Sequence, residues 1–494
     1  MKLLQKLEKS TEFWFLLLTS FIFFLLRLPS LYEPYWYGDE GIYDVIGMAL
    51  RSGRLLYKGI WDNKPPLLYY VYALLNSDQF WIRFANLVIG LLTVIAFYYL
   101  AKKLFLKEKI VFGITALFAL LLGLPLLEGN IANSENFMLL PIILSAILVM
   151  RADKYKAQTT KYLVLFGSGL LLGIALLFKI VSVFDFGAFM LFTLYLNSNF
   201  SLNNLFIKKY FIPLFKEVFS FSFGFVLPVF LTMLYFWVKG AFSYFISATF
   251  FSNVGYVGYG NAFIIPQGFL ILKVIILGLF CMYFYTRRKF FSPTAIFIWL
   301  WFAFSVFNAF FSQRPYTHYL LVLLPSFCLL VGFYFFEAKY RKTSLLILFL
   351  VAILVIKSFW LYTKFPSYYS NFISFVAGQK SVHDYQAFFD SNTPTDYEVA
   401  NYINLHTKKT DSIFLWGNNA QLYKLTNKLP PGRYAVAYHI TNYKDGISNT
   451  KNAIARKNPK FIIVMPNVGK IPFSLVDYRE TFNIHNVLLY EKVF

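Results

Sequence analysis

Charge is scarce in this chain: only 14% of its 494 residues are Asp, Glu, Lys or Arg, against about 25% in an ordinary water-soluble domain. Cysteine is scarcer. The two present, Cys281 and Cys328, both lie inside apolar runs, so neither a disulfide framework nor a Cys-based zinc site is available. Low-complexity tracts are missing, and so is any internal repeat with a period of about 20–50 residues. Together these shortages exclude an ordinary cytosolic enzyme.

What stands in place of charge is apolar bulk: 60 Phe, 36 Tyr and 9 Trp in a chain that is 58% hydrophobic. The apolar residues fall in runs near the roughly 20 that one helix needs to cross a bilayer. About eleven spanning helices are expected, at 13–31, 80–100, 110–128, 136–150, 162–179, 182–197, 217–238, 266–286, 293–311, 318–337 and 343–361. The first run is long and lacks a small-residue cleavage site, so it reads as a helix and not as a removable signal.

The few charges are distributed unevenly. With a cytoplasmic N-terminus, alternate connections should be basic. They are: Lys2, Lys6 and Lys9; Lys102, Lys103, Lys107 and Lys109; Arg151, Lys154, Lys156 and Lys161; Lys208, Lys209 and Lys216; Arg287, Arg288 and Lys289; Lys339, Arg341 and Lys342. Those segments hold six acids (Glu8, Glu12, Glu108, Asp153, Glu217, Glu337), while the opposite loops hold more acids than bases. The net charge of +22 is therefore an orientation signal and a contact with anionic membrane lipids. No nucleic-acid partner is expected. An odd helix count leaves residues 362–494 outside the cytoplasm. There the short apolar runs Ile413–Trp416, Tyr434–Ala437, Phe461–Met465 and Val487–Tyr490, with helical stretches at Ala420–Thr426 and Thr450–Lys457, predict a small α/β domain. The fold class is thus a polytopic α-helical membrane protein with a transmembrane catalytic domain, 1–361, and an extracytoplasmic α/β domain, 362–494.

Chemistry-bearing residues gather in the outer connections. Residues 32–79 hold Tyr35-Trp36-Tyr37-Gly38-Asp39-Glu40-Gly41-Ile42-Tyr43 and, later, Trp61-Asp62-Asn63-Lys64-Pro65-Pro66. Neighbouring side chains diverge by about 100° in a helix, so Asp39 and Glu40 are expected to do different jobs. The prolines bias the Lys64 segment towards extended structure. The turn Glu128-Gly129-Asn130-Ile131-Ala132-Asn133-Ser134-Glu135-Asn136 admits a plainer reading, in which Asn133 or Ser134 caps the fourth helix with Glu135 in its first turn. Ser312-Gln313-Arg314-Pro315-Tyr316-Thr317-His318-Tyr319 brings Arg314 and His318 to the outer interface. Lys179 and Asp185 bracket another outer turn, either as an internal ion pair or with Lys179 meeting an anionic headgroup. Carboxylates, Lys, Arg and His on one side of the membrane point to a polar site at its outer surface.

Taken in order, Asp39-Glu40 after a first helix ending Arg27-Leu28-Pro29, then Asn63-Lys64-Pro65-Pro66, Asn133-Ser134-Glu135 and Arg314…His318-Tyr319 resemble glycosyltransferase family 39. Relatives of that family include the protein O-mannosyltransferases and the lipid A aminoarabinose transferases, which share the C-type glycosyltransferase fold. The resemblance covers about residues 1–360. It implies transfer of one sugar from a polyprenyl-phosphate donor to an extracytoplasmic hydroxyl acceptor, on a glycan, lipid or protein, at the plasma (inner) membrane. By the family pattern Asp39 is the general base, Glu40 orients acceptor or helix, and Glu135 is a second acidic position. Lys64 and Arg314, with Lys179, hold the donor phosphate. Tyr43, Asp62, Asn133, Tyr316, His318 and Tyr319 line the site. Some relatives carry a carboxylate immediately before Lys-Pro. Here Asn63 stands in its place with Asp62 beside it, so no cofactor is certain and a divalent metal stays open.

The chemistry asks for these residue types on independent grounds. A hydroxyl attacking an anomeric carbon needs a carboxylate within about 2.6–3.2 Å to take its proton. A lipid phosphate is already a good leaving group and chiefly needs cations. One base and direct displacement predict inversion. Two rival readings are a transporter or lipid flippase, and a non-catalytic scaffold that binds cell-wall polymer. Transporters place ionisable groups near the membrane midplane in repeated halves, whereas here the acids sit at outer helix ends.

Overall fold

The computed structural model describes residues 10–152, 157–197, 207–253, 269–312, 314, 316–466 and 468–493. The expected inner charges at 2, 6, 8, 9, 153, 154 and 156, and the first residues of the 266–286 span, lie outside the described residues. Every one of the expected spans contains a helix: Thr11–Arg27, Gln79–Leu104, Glu108–Gly123, Ser134–Ala152, Gln158–Phe178, Val183–Leu196, Lys208–Val238, Phe269–Arg287, Pro293–Ala309, Leu324–Phe336 and Arg341–Ser358. Among the described residues, six helical stretches are long and apolar enough to cross a membrane: Thr11–Tyr32, Gln79–Leu104, Ser134–Ala152, Gln158–Phe178, Phe211–Val238 and Leu270–Phe290. The others are shorter or, like Arg341–Ser358, carry several basic residues. Local chemistry sets the ends. Ser10 Oγ accepts from Phe13 N–H at 3.3 Å, and Ser292 caps the helix whose first residue is Pro293, a position where the missing N–H costs nothing. The run expected as one helix over 318–337 opens instead as a 3₁₀ segment, Thr317–Val322, with the α-helix beginning at Leu324. Pro325 cannot donate to the preceding turn, so an α-helix must start near it and cannot run through it.

The chain forms two compact units, each assembled from separated stretches. The first comprises Met1–Leu28, Ala85–Tyr235 and Ser252–Phe365. Its helices Gln158–Phe178 and Lys208–Val238 approach backbone to backbone. A Cβ on Gly169 would stand 2.0 Å from Phe221 O, and one on Gly224 would stand 2.1 Å from Phe166 O. Small residues allow such contact where apolar side chains gain nothing by leaving lipid. Buried Ser145 and Ser168 share a 2.7 Å hydrogen bond between neighbouring helices.

The second unit comprises Pro29–Phe84, Phe236–Phe251 and Pro366–Phe494. It holds the helix Gly38–Arg51 and a four-stranded sheet of β1 (Ile413–Trp416), β2 (Phe461–Val464), β3 (Tyr478–Ile484) and β4 (Val487–Lys492). The spatial order is β1-β2-β4-β3, with β1 and β2 parallel and the other pairs antiparallel. Three of the apolar runs are strands as expected. Tyr434–Ala437 is not one: it is buried but leads into the short helix Ala437–Asn442, with Ala437 N–H donating to Gly417 O at 2.8 Å. Conversely β3 escapes the apolar reading because it is a largely exposed edge strand with few apolar residues. Its hairpin to β4 turns through His485 and Asn486, both at positive φ, the backbone that a two-residue hairpin loop demands.

Candidate active site

Asp39 and Glu40 lie in the first turn of the helix Gly38–Arg51, where free backbone N–H groups favour carboxylates. Their side chains meet different partners. Glu40 is buried and takes two hydrogen bonds from Arg83, Nε at 2.7 Å and Nη2 at 2.5 Å. Arg83, fully buried, also lies 3.0 Å from Glu33, which accepts from Tyr368 Oη and Trp36 Nε1, each at 2.7 Å. Glu40 thus anchors the helix start. Asp39, in contrast, keeps 36% of its side chain exposed and pairs with Lys64 Nζ at 3.3 Å. The same oxygen accepts from Tyr43 Oη at 3.0 Å.

Lys64 is held by its backbone. Tyr69 Oη accepts from its N–H at 3.2 Å, and Tyr57 Oη donates to its carbonyl at 2.8 Å. Its ammonium lies 4.7 Å above the Tyr43 ring. Asp62 accepts from Tyr69 Oη at 2.7 Å and from Asn63 N–H at 2.8 Å. Burial, reinforced by nearby carboxylates, raises the Tyr43, Tyr57 and Tyr69 phenols well above their usual range, so all three remain neutral hydroxyl donors. Pro65 and Pro66 end the extended segment and the helix Leu67–Leu74 begins directly after them.

The helix bearing Asp39 docks closely within its unit. A Cβ on Gly41 would lie 2.6 Å from the backbone nitrogen of Gln421, an approach only glycine permits. Gln421 Nε2 in turn donates to buried Asp396 at 3.0 Å, as does Asn419 Nδ2 at 2.9 Å. Burial raises the Asp396 carboxyl to about 7, only partly offset by those hydrogen bonds. An acid with a raised folded-state pKa stabilises most at low pH, and this contribution disappears as pH climbs from the unfolded value towards 7. Asp396→Asn, which cannot ionise, should therefore gain on the wild type by about 1.4 kcal/mol per pH unit between roughly pH 4 and 7, then level off. Thermal melts of the two proteins across that range check this, and parallel curves would refute it.

A second cluster occupies the other unit. Asn86 Nδ2 donates to the carbonyls of Gly129 and Ile131 at 3.3 and 3.1 Å. Asn136 Nδ2 donates to Ile131 O at 2.7 Å, and Glu128 adopts φ 57°. These bonds fix the turn before Ser134–Ala152. Glu135, 1% exposed, forms a close ion pair with Lys179 and lies 3.8 Å from His318 Nε2. His318 Nδ1 is 2.8 Å from Glu128. The Lys179 ammonium sits 4.1 Å over the Tyr319 ring. Tyr316 stacks on His318 with centroids 5.6 Å apart, and Arg314 Nη1 reaches Tyr316 Oη at 3.4 Å. The capping role considered for Asn133 and Ser134 is not what the side chains do: both are buried, with Asn133 Oδ1 and Nδ2 and Ser134 Oγ making no hydrogen bond. The Lys179–Asp185 pair is likewise absent, since Asp185 accepts from Trp301 Nε1 at 2.7 Å and Lys179 goes to Glu135. Among the described residues no group of three or more His, Cys, Asp and Glu side chains is placed to hold a metal ion.

The expected site residues therefore fall into two sets. Asp39, Tyr43, Asp62 and Lys64 come together in one unit, with Glu40 turned to Arg83; Glu135, Lys179, Arg314, Tyr316, His318 and Tyr319 come together in the other. Unanticipated neighbours are Arg83, Tyr57, Tyr69 and His439, whose Nε2 lies 3.8 Å from Asp62 Oδ1. Arg83 had a signal, because an ionisable residue near the start of an apolar span calls for a partner. His439, one of only five histidines, had none.

Residues 56–241 match the family model described as dolichyl-phosphate-mannose-protein mannosyltransferase. That stretch contains Lys64-Pro65-Pro66, Asn133-Ser134-Glu135 and Lys179 but not Asp39, Glu40 or Arg314. No curated protein matches the chain by sequence. Among solved structures, ArnT from Cupriavidus metallidurans bound to undecaprenyl phosphate is similar at TM-score 0.53 and 14% identity, over 97% of this chain and 98% of that one. The oligosaccharyltransferase AglB from Archaeoglobus fulgidus, in complex with an inhibitory peptide and a dolichol-phosphate, gives TM-score 0.49 and 11% identity, over 92% of this chain and 69% of that one. The likeness to ArnT is one of fold. With the sequence match and the apolar helices it bears out the resemblance to glycosyltransferase family 39, and the chain is a multi-pass membrane protein of the C-type glycosyltransferase fold.

Proposed function

We propose that the protein is an inverting glycosyltransferase that moves a monosaccharide from a polyprenyl-phosphate donor to a hydroxyl acceptor on the outer side of the plasma membrane, with its N-terminus cytoplasmic. The observation that carries this reading is the Asp39–Lys64 pair, 3.3 Å apart and partly exposed, with Lys64 next to Pro65-Pro66 inside the matched segment. A carboxylate and an ammonium side by side are the two groups the reaction needs. An incoming phosphate competes with Asp39 for the ammonium. Once Lys64 turns to the phosphate, Asp39 is free to take the acceptor proton as the acceptor oxygen attacks the anomeric carbon and the lipid phosphate departs. Tyr43, neutral and bonded to Asp39, holds the carboxylate in place.

Purified protein incubated with a panel of polyprenyl-phosphate sugars and hydroxyl acceptors should release polyprenyl phosphate and form a glycoside of inverted configuration, read by mass spectrometry and proton NMR. Retention of configuration, or no release from any donor, would refute the reading. Lys64→Ala should weaken donor binding by about tenfold or more, the worth of a hydrogen bond to a charged group. An unchanged donor Kd, measured by calorimetry, would remove Lys64 from the phosphate site.

A further inference from the structure

The helix Phe269–Arg287 is apolar along nearly its whole length, and Ile271, Leu272, Val274, Ile275 and Ile276 are exposed, so this surface faces lipid. Lys273 stands among them as the one charged residue between Phe269 and Thr286. It lies about 21 Å along the helix axis from Arg287, well past the midplane of an apolar core about 30 Å thick. A charge in that layer is expensive and calls for a partner. The long stem allows the ammonium to snorkel towards water, yet it turns to the protein and donates to Phe310 O at 2.6 Å. Phe310 closes the helix Pro293–Ala309, and the carbonyls at such an end carry about half a negative charge. About half a positive charge therefore stays uncompensated. Among the described residues the ammonium has no ion pair and no second hydrogen bond, so two of its three N–H groups are open to an acceptor. Arg314 follows Phe310 by four residues, at most about 14 Å of chain, which puts both cations on one rim of this unit.

We propose that Lys273 binds the phosphate of the polyprenyl carrier at the lipid-facing rim of this unit, while the isoprenoid tail lies along the apolar side chains beside it. The phosphate oxygens take the two open N–H groups and supply the missing negative charge. A zwitterionic phospholipid is a poorer occupant, because its phosphate is already balanced by its own ammonium. The inference deepens the functional reading above and rests on it for the identity of the carrier, but not for the phosphate contact itself.

The test reads Lys273 directly. The full chain in phosphatidylcholine nanodiscs is treated with a membrane-permeant amine-acylating reagent, with and without farnesyl phosphate. Modified peptides are quantified by mass spectrometry, with exposed Lys409 as reference. Farnesyl phosphate should slow Lys273 acylation about fivefold or more, whereas farnesol, the tail without the phosphate, should not. The protection should persist in Lys64→Ala, which removes the ammonium proposed for the site itself. Lys273→Met should raise the donor KM about tenfold, the worth of a hydrogen bond to a charged group, with kcat changed less than twofold. Lys273→Arg, which keeps the charge, should stay within threefold of the wild type. No protection, equal protection by farnesol, or protection lost in Lys64→Ala would each overturn the proposal. Equal protection by phosphatidylglycerol would do the same, since any anionic lipid would then serve. Should Lys273→Met fail to fold, the labelling of wild type and Lys64→Ala decides alone. Protection in a wild type that transfers no sugar leaves the phosphate site standing and ends the functional reading; transfer without protection does the reverse.

Discussion

Asp39→Asn should lower sugar transfer by roughly 100- to 10,000-fold, the range that a positioned general base contributes, without loss of donor affinity. Asn is isosteric and still accepts from Tyr43 Oη, so the helix start is undisturbed. What disappears is the capacity to take a proton, and with it the charge that holds Lys64 in the resting pair at 3.3 Å. A freed ammonium has one competitor fewer when a phosphate arrives, and a negative charge near that phosphate has gone. Donor Kd should therefore stay level or fall slightly while kcat collapses. Single-turnover rates beside calorimetric Kd values make the distinction. Undiminished turnover would dismiss Asp39 as the base, and a Kd raised in step with the rate loss would give it a purely binding role.

Arg83→Met should cost about 3–5 kcal/mol of stability, the penalty for removing one member of a buried ion network. Arg83 is fully buried and its guanidinium serves both Glu33 and Glu40. Its loss strands two carboxylates away from water. The planar fork matters as much as the charge: two arms reach Glu40 while Nη1 lies 3.0 Å from Glu33. Arg83→Lys, a point charge on a flexible stem, should recover only part of the loss. Thermal unfolding in nanodiscs reads the effect. Stability close to wild type for Arg83→Met would refute the network's part in holding the fold. Because Glu40 anchors the helix that presents Asp39, the surviving fraction of Arg83→Met should also be slow in transfer.

Apolar run length was enough to place the helices, because the bilayer constrains it directly. The divergence of Asp39 and Glu40 was legible for a similar reason: adjacent residues in a helix cannot share one partner. The sheet was legible where strands are buried, at Ile413–Trp416 and Phe461–Val464, and illegible at Tyr478–Ile484, where an exposed edge strand needs no apolar face. Tyr434–Ala437 misled because burial alone does not tell a strand from a strap. The site was harder. Lys64 next to two prolines stood out locally, but the phenols that hold its backbone, Tyr57 and Tyr69, carry no signal in the spacing that would mark them as its clamps. The Asn133-Ser134 turn carried a helix-capping pattern that its side chains do not fulfil.

The long reach of other contacts bears on how the protein is made. Tyr368 binds Glu33 across 335 residues, Tyr397 meets Tyr35 across 362, and Arg54 donates to Gly432 across 378. During translation the loop that bears Asp39 and Lys64 leaves the ribosome hundreds of residues before its distant partners exist. Its local pairs, Asp39 with Lys64 and Glu40 with Arg83, need nothing beyond residue 83, whereas the partners of Glu33, Tyr35 and Arg54 arrive only with the last third of the chain.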